Sequence, residues 1–341
     1  MAVLPGAPNG VTATAGNQSA EVSWTPGATG GSPILSYTVS STPSSAGCTV
    51  SGSTRHCTVS GLTNGTRYTF QVSATNVIGT GPLSAPSSPV TPTSNGPIAG
   101  YWLATSGGAV LTNGAAVNYG SPAGLVLNSP IVALTPSPDR KGYWLVASDG
   151  GVFSYGDAGF YGSTGAEHLN KPIVGIAATS DGKGYWLVAS DGGVFAYGDA
   201  RFQGSLGATH LNAPIVGIAG NGTGGYWLVA ADGGVFAYGS AAFHGSAGAE
   251  HLASPVVGIA ATADGSGYYL VAADGGVFAY DAPFYGSAHG IAVGTVKGIA
   301  LGAGGGYTIA TTTGATYSYG TPSHGNQTNS GVTSPIISIG S

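Results

Sequence analysis

The sequence predicts an all-β protein in two unlike parts, and three observations carry that prediction. The first is composition. Of 341 residues, 62 are Gly and 18 are Tyr, 42% are hydrophobic and only 6% are charged, where an average soluble chain carries about 25% charged residues. The second is alternation. In residues 1–93 apolar side chains recur at every second position, the period of a half-buried strand. The third is a repeat of roughly 42 residues that fills the chain from residue 98 onward.

The same composition excludes several classes. The glycines do not fall at every third position, so the chain is not collagen. Its aromatic and apolar content argues against disorder. No apolar run reaches 18 residues, so no membrane insertion is expected. The 8 Lys+Arg, against 13 Asp+Glu, are too few to neutralise a phosphate backbone, so no nucleic-acid partner is expected.

In the first part, Glu21-Val22-Ser23-Trp24 and Leu35-Ser36-Tyr37-Thr38-Val39 alternate, as does the stretch from Leu62 to Val72. Cys48 and Cys57 each open a Cys-Thr-Val run. Two such runs around a short turn predict a hairpin with facing cysteines, whose Cα atoms would lie close enough for a disulfide. A disulfide implies an oxidising compartment. Met1-Ala2 leads directly into Val3-Leu4-Pro5-Gly6 without a leader pattern. The expectation is a leader already removed; export by another route, such as within a virion, is the alternative.

Trp24 in the second strand, Tyr37 in the third, the Leu62…Tyr68 spacing of a tyrosine corner, and the closing Asn76, Gly79 and Gly81-Pro82 carry a resemblance. At these residues the segment resembles a fibronectin type III domain. The resemblance implies a seven-strand sandwich over residues 1–93. Residues 94–97 then read as a linker, preceded by the Pro-rich run from Ser87.

In the second part, Gly-Tyr-Trp-Leu or a variant places Tyr at 101, 143, 185, 226, 268 and 307. A second marker, Pro-Ile-Val-Gly-Ile-Ala in degenerating forms, begins at Pro130, Pro172, Pro214, Pro255, Thr295 and Pro335. One unit reads as four short strands: Ile173–Ala178, Tyr185–Ala189, Val194–Tyr197 and Arg201–Gly204. Asp-Gly and Gly-Gly pairs mark the hairpin turns between them. The Tyr-Trp-Leu-Val strand is apolar on consecutive positions, as a strand covered on both faces must be. The first unit lacks its Pro-Ile-Val strand, and the chain ends with Pro335-Ile-Ile-Ser-Ile339. The C-terminal strand is therefore expected to complete the first unit and remove an open edge. The result over residues 98–341 is a six-bladed β-propeller closed by the C-terminal strand. The Pro-x-x-Gly-Ile-Ala…Ser-Asp-Gly…Tyr-x-Val pattern is similar to NHL repeats. It also looks like the Gly-Tyr-Trp-Leu-Val repeats of actinobacterial secreted cell-wall proteins.

Strand polarity sorts the candidate residues. The Asp-Gly-Gly turns of Asp149, Asp191, Asp232 and Asp274 should share one face with the crossing loops of His168, His210 and His251. A ring of carboxylates and imidazoles suits a ligand, although Asp in such a turn also bonds its own backbone. The histidines recur with the blade, a spacing too wide for one metal ion, so no metal is expected. Tyr161, Gln203, His244 and Tyr285, on the predicted outer strands, are the better exposed candidates, and Tyr161 and Tyr285 offer faces for sugars. The Tyr-Trp pairs at 143/144, 185/186 and 226/227 belong to the core.

No nucleophile elbow, zinc motif, redox Cys pair or phosphate loop is present in the sequence. Glycoside hydrolysis needs two close carboxyls in different environments, but Glu167 and Glu250 occupy equivalent repeat slots. No cofactor is expected. The expected function is non-catalytic binding of a cell-wall or extracellular polysaccharide, or another cell-surface glycan, at the cell surface or outside the cell. A self-assembling subunit of an appendage or phage tail is the first alternative. A glycosidase or its accessory module is the second.

Overall fold

The structure is a computed structural model and describes residues 2–16, 18–44, 46–92, 100–292, 294–302, 305–321, 323, 327 and 334–340. It is all-β, with no α-helix among the described residues. The chain divides into two compact units, Met1–Pro97 and Ile98–Ser341. The linker expected over 94–97 lies outside the described residues.

The first unit holds β1 (Asn9–Gly16), β2 (Ser19–Thr25), β3 (Ser36–Thr42), β4 (Gly47–Ser51), β5 (His56–Ser60), β6 (Thr69–Asn76) and β7 (Gly79–Thr80). They form two antiparallel sheets, β1-β2-β5 and β4-β3-β6-β7. The expected alternation is present: β2 buries Ala20, Val22 and Trp24 and exposes the residues between. Trp24 packs on Tyr37 at 5.3 Å between ring centroids. The Tyr68 hydroxyl accepts the Thr63 N–H at 3.1 Å, which forms the expected corner.

The cysteines are bonded, but not across a hairpin. β4 pairs with β3 and β5 with β2, so the two Cys-Thr-Val runs belong to opposite sheets. The Cys48–Cys57 bond spans the sandwich with Cα atoms 6.5 Å apart. The connection between the runs explains why. Gly52 N–H bonds the Leu35 carbonyl beside β3, whereas the Arg55 carbonyl accepts from Trp24 of β2. Its two ends are thus committed to different sheets. A Cβ on Gly52 would lie 1.8 Å from the Ile34 carbonyl oxygen, so only glycine permits that approach.

The second unit holds six antiparallel three-stranded sheets. In chain order the strands are β8 (Gly100–Thr105) and β9 (Val110–Gly114); β10 (Ile131–Pro136), β11 (Gly142–Ala147) and β12 (Val152–Gly156); β13 (Ile173–Ala178), β14 (Gly184–Ala189) and β15 (Val194–Gly198); β16 (Ile215–Gly220), β17 (Tyr226–Ala230) and β18 (Val235–Tyr238). They continue with β19 (Val256–Ala261), β20 (Tyr268–Ala272) and β21 (Val277–Tyr280); β22 (Val296–Leu301), β23 (Tyr307–Thr311) and β24 (Thr316–Tyr319); and β25 (Ile336–Gly340). The last strand returns to the first: β25 pairs with β8, giving the sheet β25-β8-β9. First strands of successive sheets are neighbours in the order β10, β13, β16, β19, β22 and β25, and β25 in turn neighbours β10. Middle strands are buried throughout, as their unbroken apolar runs require.

Among the described residues, the fourth strand expected in each unit is absent. Residues 201–204 and their counterparts form no ladder with a neighbour. Side chains hold them instead. Trp144, Trp186 and Trp227 each donate the indole N–H to this segment of their own unit, to the carbonyls of Gly159, Arg201 and Ala242 at 2.6–2.8 Å. The tyrosine of the following sheet grips the same segment from the other side. Tyr185 Oη accepts the Tyr161 N–H at 3.2 Å and donates to the Gly162 carbonyl at 2.6 Å. Tyr226 repeats this with Gln203 and Gly204, and Tyr268 with His244 and Gly245. Gly162 adopts φ +134°, and a Cβ there would strike the Tyr197 ring at 2.5 Å.

Candidate functional site

The Asp-Gly-Gly carboxylates are partly spoken for. Asp149, Asp191, Asp232 and Asp274 each accept, through Oδ1, the backbone N–H two residues on, at 3.0 Å. This is the local Asx turn that suits Asp at the position. Oδ2 remains for other partners, and at Asp274 it meets His289 Nδ1 at 3.1 Å. The crossing loops reach the same end of the sheets: Leu206 N–H bonds Gly192 O, and Ala247 N–H bonds Gly233 O. Asp191 and His210 line one shallow depression of about 240 Å³ with Leu211, Asn212 and Pro214. His168, His210 and His251 are exposed. Among the described residues no three His, Cys, Asp or Glu side chains converge as metal ligands.

Tyr161 and Tyr285 do not join this group. Tyr161 Oη donates to the Gly182 carbonyl at 3.0 Å, in the turn between β13 and β14 at the opposite end of the sheet. Its ring packs against Tyr185 at 5.8 Å. Tyr285 sits likewise against Tyr307 at 6.1 Å and gives its N–H to the Tyr307 hydroxyl. Both fasten one sheet to the next; Tyr161 is half-buried in doing so, whereas Tyr285 keeps 39% of its surface exposed. The cause is the missing ladder: the segment is anchored by these aromatic contacts.

The residues just before them point outward. Phe160, Phe202, Phe243 and Phe284 occupy equivalent places on four successive sheets, each 60–61% exposed. Sequence reasoning passed over this row. The signal is a Phe recurring one position before residues 161, 203, 244 and 285. Neighbours in extended chain face opposite ways, so where the second residue of a pair reaches the next sheet, the Phe before it faces solvent.

The electrostatics at this end are set by turn carboxylates. Burial pushes Asp181 up, but the Lys183 backbone N–H and the Thr179 hydroxyl outweigh it and hold the carboxyl below its ordinary value. Asp139 is lowered in the same way by Lys141 N–H and Ser137, against a raising contribution from burial. Asp157, near Asp139, is raised by burial and then by that neighbour. Between the sheets β13-β14-β15 and β16-β17-β18 lies a larger cleft of about 570 Å³, lined by Asp181, Trp186, Asp199, Arg201, Gln203, Thr223 and Ser240 among others.

Comparison with known proteins bears on the first unit. Residues 6–90 match the fibronectin type III domain family, and that segment is a fibronectin type III domain. Domains of this kind are binding and interaction modules typical of extracellular proteins, and a disulfide is typical of the same setting. Among solved structures, a set of titin domains is 31% identical and is matched over 26% of this chain and 32% of that one, with a TM-score of 0.24. Titin kinase with its flanking domains is also 31% identical, over 27% of this chain and 18% of that one, with a TM-score of 0.24. The FN5 domain of Drosophila Lar is 29% identical over 26% of this chain and 97% of that one, with a TM-score of 0.21. The chain thus spans about a third or less of the two titin structures it matches. No curated protein matches the chain. No helix among the described residues is long and apolar enough to cross a membrane.

Proposed function

We propose that the chain is an extracellular or cell-surface, non-catalytic binding protein for a weakly charged polysaccharide of cell-wall or extracellular type. On this reading residues 98–341 are a closed six-bladed propeller of the NHL-like, actinobacterial cell-wall kind, and the fibronectin type III domain is its spacer or second contact. The supporting observation is the row of Phe160, Phe202, Phe243 and Phe284, exposed at equivalent points of four sheets. An exposed phenyl face gives a sugar ring an apolar platform without needing charge. Four such platforms in a row suit a polymer, because linked weak contacts add avidity. The carboxylate ends at Asp149, Asp191, Asp232 and Asp274, with the crossing-loop histidines, would supply hydroxyl acceptors on the other face.

Pull-down on insoluble glucan, chitin, xylan and isolated cell walls tests the reading. Retention should survive 0.5 M salt, since only 6% of the chain is charged. Replacing all four phenylalanines by Ala should reduce it at least tenfold while the melting temperature stays put, because exposed side chains contribute little to stability. Absence of retention on every preparation, with ordered self-association of the intact chain, would transfer the Phe row to a contact between copies.

A further inference from the structure

The repeat departs from its own pattern at several positions of one junction, and these departures converge on one cleft. The latch residue is Tyr at 119, 161 and 285, His at 244 and Gln at 203; His244 keeps a ring, 5.6 Å from that of Tyr268, and bonds Asp281, whereas Gln203 has no ring. Tyr119 and Tyr161 reach the next sheet's turn through a ring and hydroxyl, onto the Arg140 and Gly182 carbonyls. Gln203 reaches Gly224 O with its amide alone, at 3.2 Å and in an exposed position. The turn it meets, Asn221-Gly222-Thr223-Gly224-Gly225, is one residue shorter than Thr179-Ser180-Asp181-Gly182-Lys183-Gly184 and has lost both the Asp and the Lys. Ser240 stands where three other sheets carry Asp157, Asp199 and Asp281. Arg201 stands where Gly159, Ala242 and Pro283 occur in other units. The removed ring and the shortened turn leave the cleft of about 570 Å³ described above, within the roughly 300–1,000 Å³ of small-ligand sites.

We infer that this cleft between β13-β14-β15 and β16-β17-β18 is a discrete site for one or two sugar units, with Arg201 and Gln203 as its specificity-determining residues. Its lining has the chemistry that polyols need. Asp181 and Asp199 accept hydroxyl protons; each already takes the Thr179 hydroxyl through Oδ1, at 3.0 and 3.1 Å, and Asp181 Oδ2 lies 3.6 Å from the exposed Lys183 ammonium. The Arg201 guanidinium makes no ion pair among the described residues and supplies donors in a rigid fork. Thr223 and Ser240 hydroxyls lie 3.0 Å apart and serve as donor or acceptor. Two carboxylates and one guanidinium leave no strong field, which suits a neutral ligand over a charged one. The site rests on the polysaccharide reading, and adds to the Phe platforms a pocket that recognises individual units.

Isothermal titration of the full chain with chitotetraose, cellotetraose, xylotetraose and laminaritetraose tests the inference, alongside the polymer pull-down. One of the four should bind with one site per chain. Arg201→Ala should weaken it at least tenfold. Gln203→Tyr restores the repeat's own latch and fills the cleft; it should abolish tetrasaccharide binding with an unchanged melting temperature. Loss of tetrasaccharide binding in Gln203→Tyr with polymer still retained supports the cleft as a site separate from the Phe row. Polymer retention with no tetrasaccharide bound by the unaltered chain overturns the cleft and leaves the polymer reading intact. Tetrasaccharide binding that Gln203→Tyr does not change also overturns it. Tetrasaccharide binding lost in Gln203→Tyr, with no polymer retained, keeps the cleft and sinks the polymer reading.

Discussion

A single phenol at Tyr226 holds two backbone groups of the neighbouring segment, accepting from Gln203 N–H and donating to Gly204 O at 2.6 Å. Removing it strands both partners, at about 1–3 kcal/mol. Tyr226→Phe should therefore lower the melting temperature by several degrees. Tyr238→Phe, whose hydroxyl makes no such bond, should leave it within about one degree. Equal effects in differential scanning calorimetry would show that the bonds carry no weight. The same tyrosines govern alkaline behaviour. Burial raises the phenols of Tyr143, Tyr185, Tyr226, Tyr268 and Tyr307 above their ordinary value of 10.0. A folded-state value above the unfolded one means that the stabilisation is complete below about pH 10 and drains away as pH rises through the folded values. In a spectrophotometric titration, phenolate absorbance should lag and then rise together with loss of near-ultraviolet circular dichroism. Smooth ionisation at the ordinary value, with the dichroism unchanged, would contradict this. Tyr143, Tyr185 and Tyr226 were legible as core from the sequence, because consecutive apolar positions leave no solvent face. Their grip on the preceding sheet was not legible, since a hydroxyl's partner more than 20 residues away leaves no mark in the local pattern.

At the scale of elements, β4 and β5 show what pattern reading reaches and where it stops. Alternation identified both strands and the turn between them, and the cysteine spacing identified the bond. Which sheet each strand joins depends on Leu35 and Trp24, whose hydrogen bonds to Gly52 and Arg55 no local rule contains. The bond closes a loop of separation 9, for which chain entropy gives about 2–3 kcal/mol. Because it ties β4 to β5 across the sandwich, reduction should loosen both sheets of the first unit. Hydrogen exchange read by mass spectrometry should show faster exchange over residues 19–60 and unchanged exchange over 142–280. Acceleration confined to residues 47–60 would show that the bond guards only its own connection. The fourth strand expected at 201–204 failed for a related reason. Its residues have strand-like character, but tryptophan and tyrosine side chains satisfy the backbone that a ladder would otherwise take.

For the whole molecule, the six periods and the return of the last strand were legible in the repeat itself: a unit missing its first strand at one end and supplying it at the other admits few arrangements. Deleting residues 334–341 removes β25, leaves β8 paired with β9 alone and uncovers first-strand neighbours on both sides. The expected outcome is aggregation, or a melting temperature lower by more than 10 °C, since such a loss exceeds any single core truncation of about 2–5 kcal/mol. The fibronectin type III domain should keep its own transition. An unaltered melt of the second unit would mean that β25 contributes nothing to its cohesion. The candidate site was the least legible feature at this scale. Its residues are defined by departure from the repeat: Gln203 was legible only as an exposed outer-strand residue, and Arg201 and Ser240 carry no recurrence to mark them.

The grip of one unit on its predecessor also bears on how such a chain can change its length. Among the described residues, Tyr143, Tyr185, Tyr226, Tyr268 and Tyr307 each hold the tail of the unit before, so both halves of these junctions are encoded in the repeated unit. Duplicating a unit in the gene would insert a new member with both fittings matched, and no existing junction would need repair. Substituting one fitting alone, by contrast, leaves a mismatch in two adjacent copies. Copies of this design are therefore free to multiply and slow to diverge at their fittings, while the outward Phe side chains and the Arg201 guanidinium, which form no part of a fitting, can vary copy by copy.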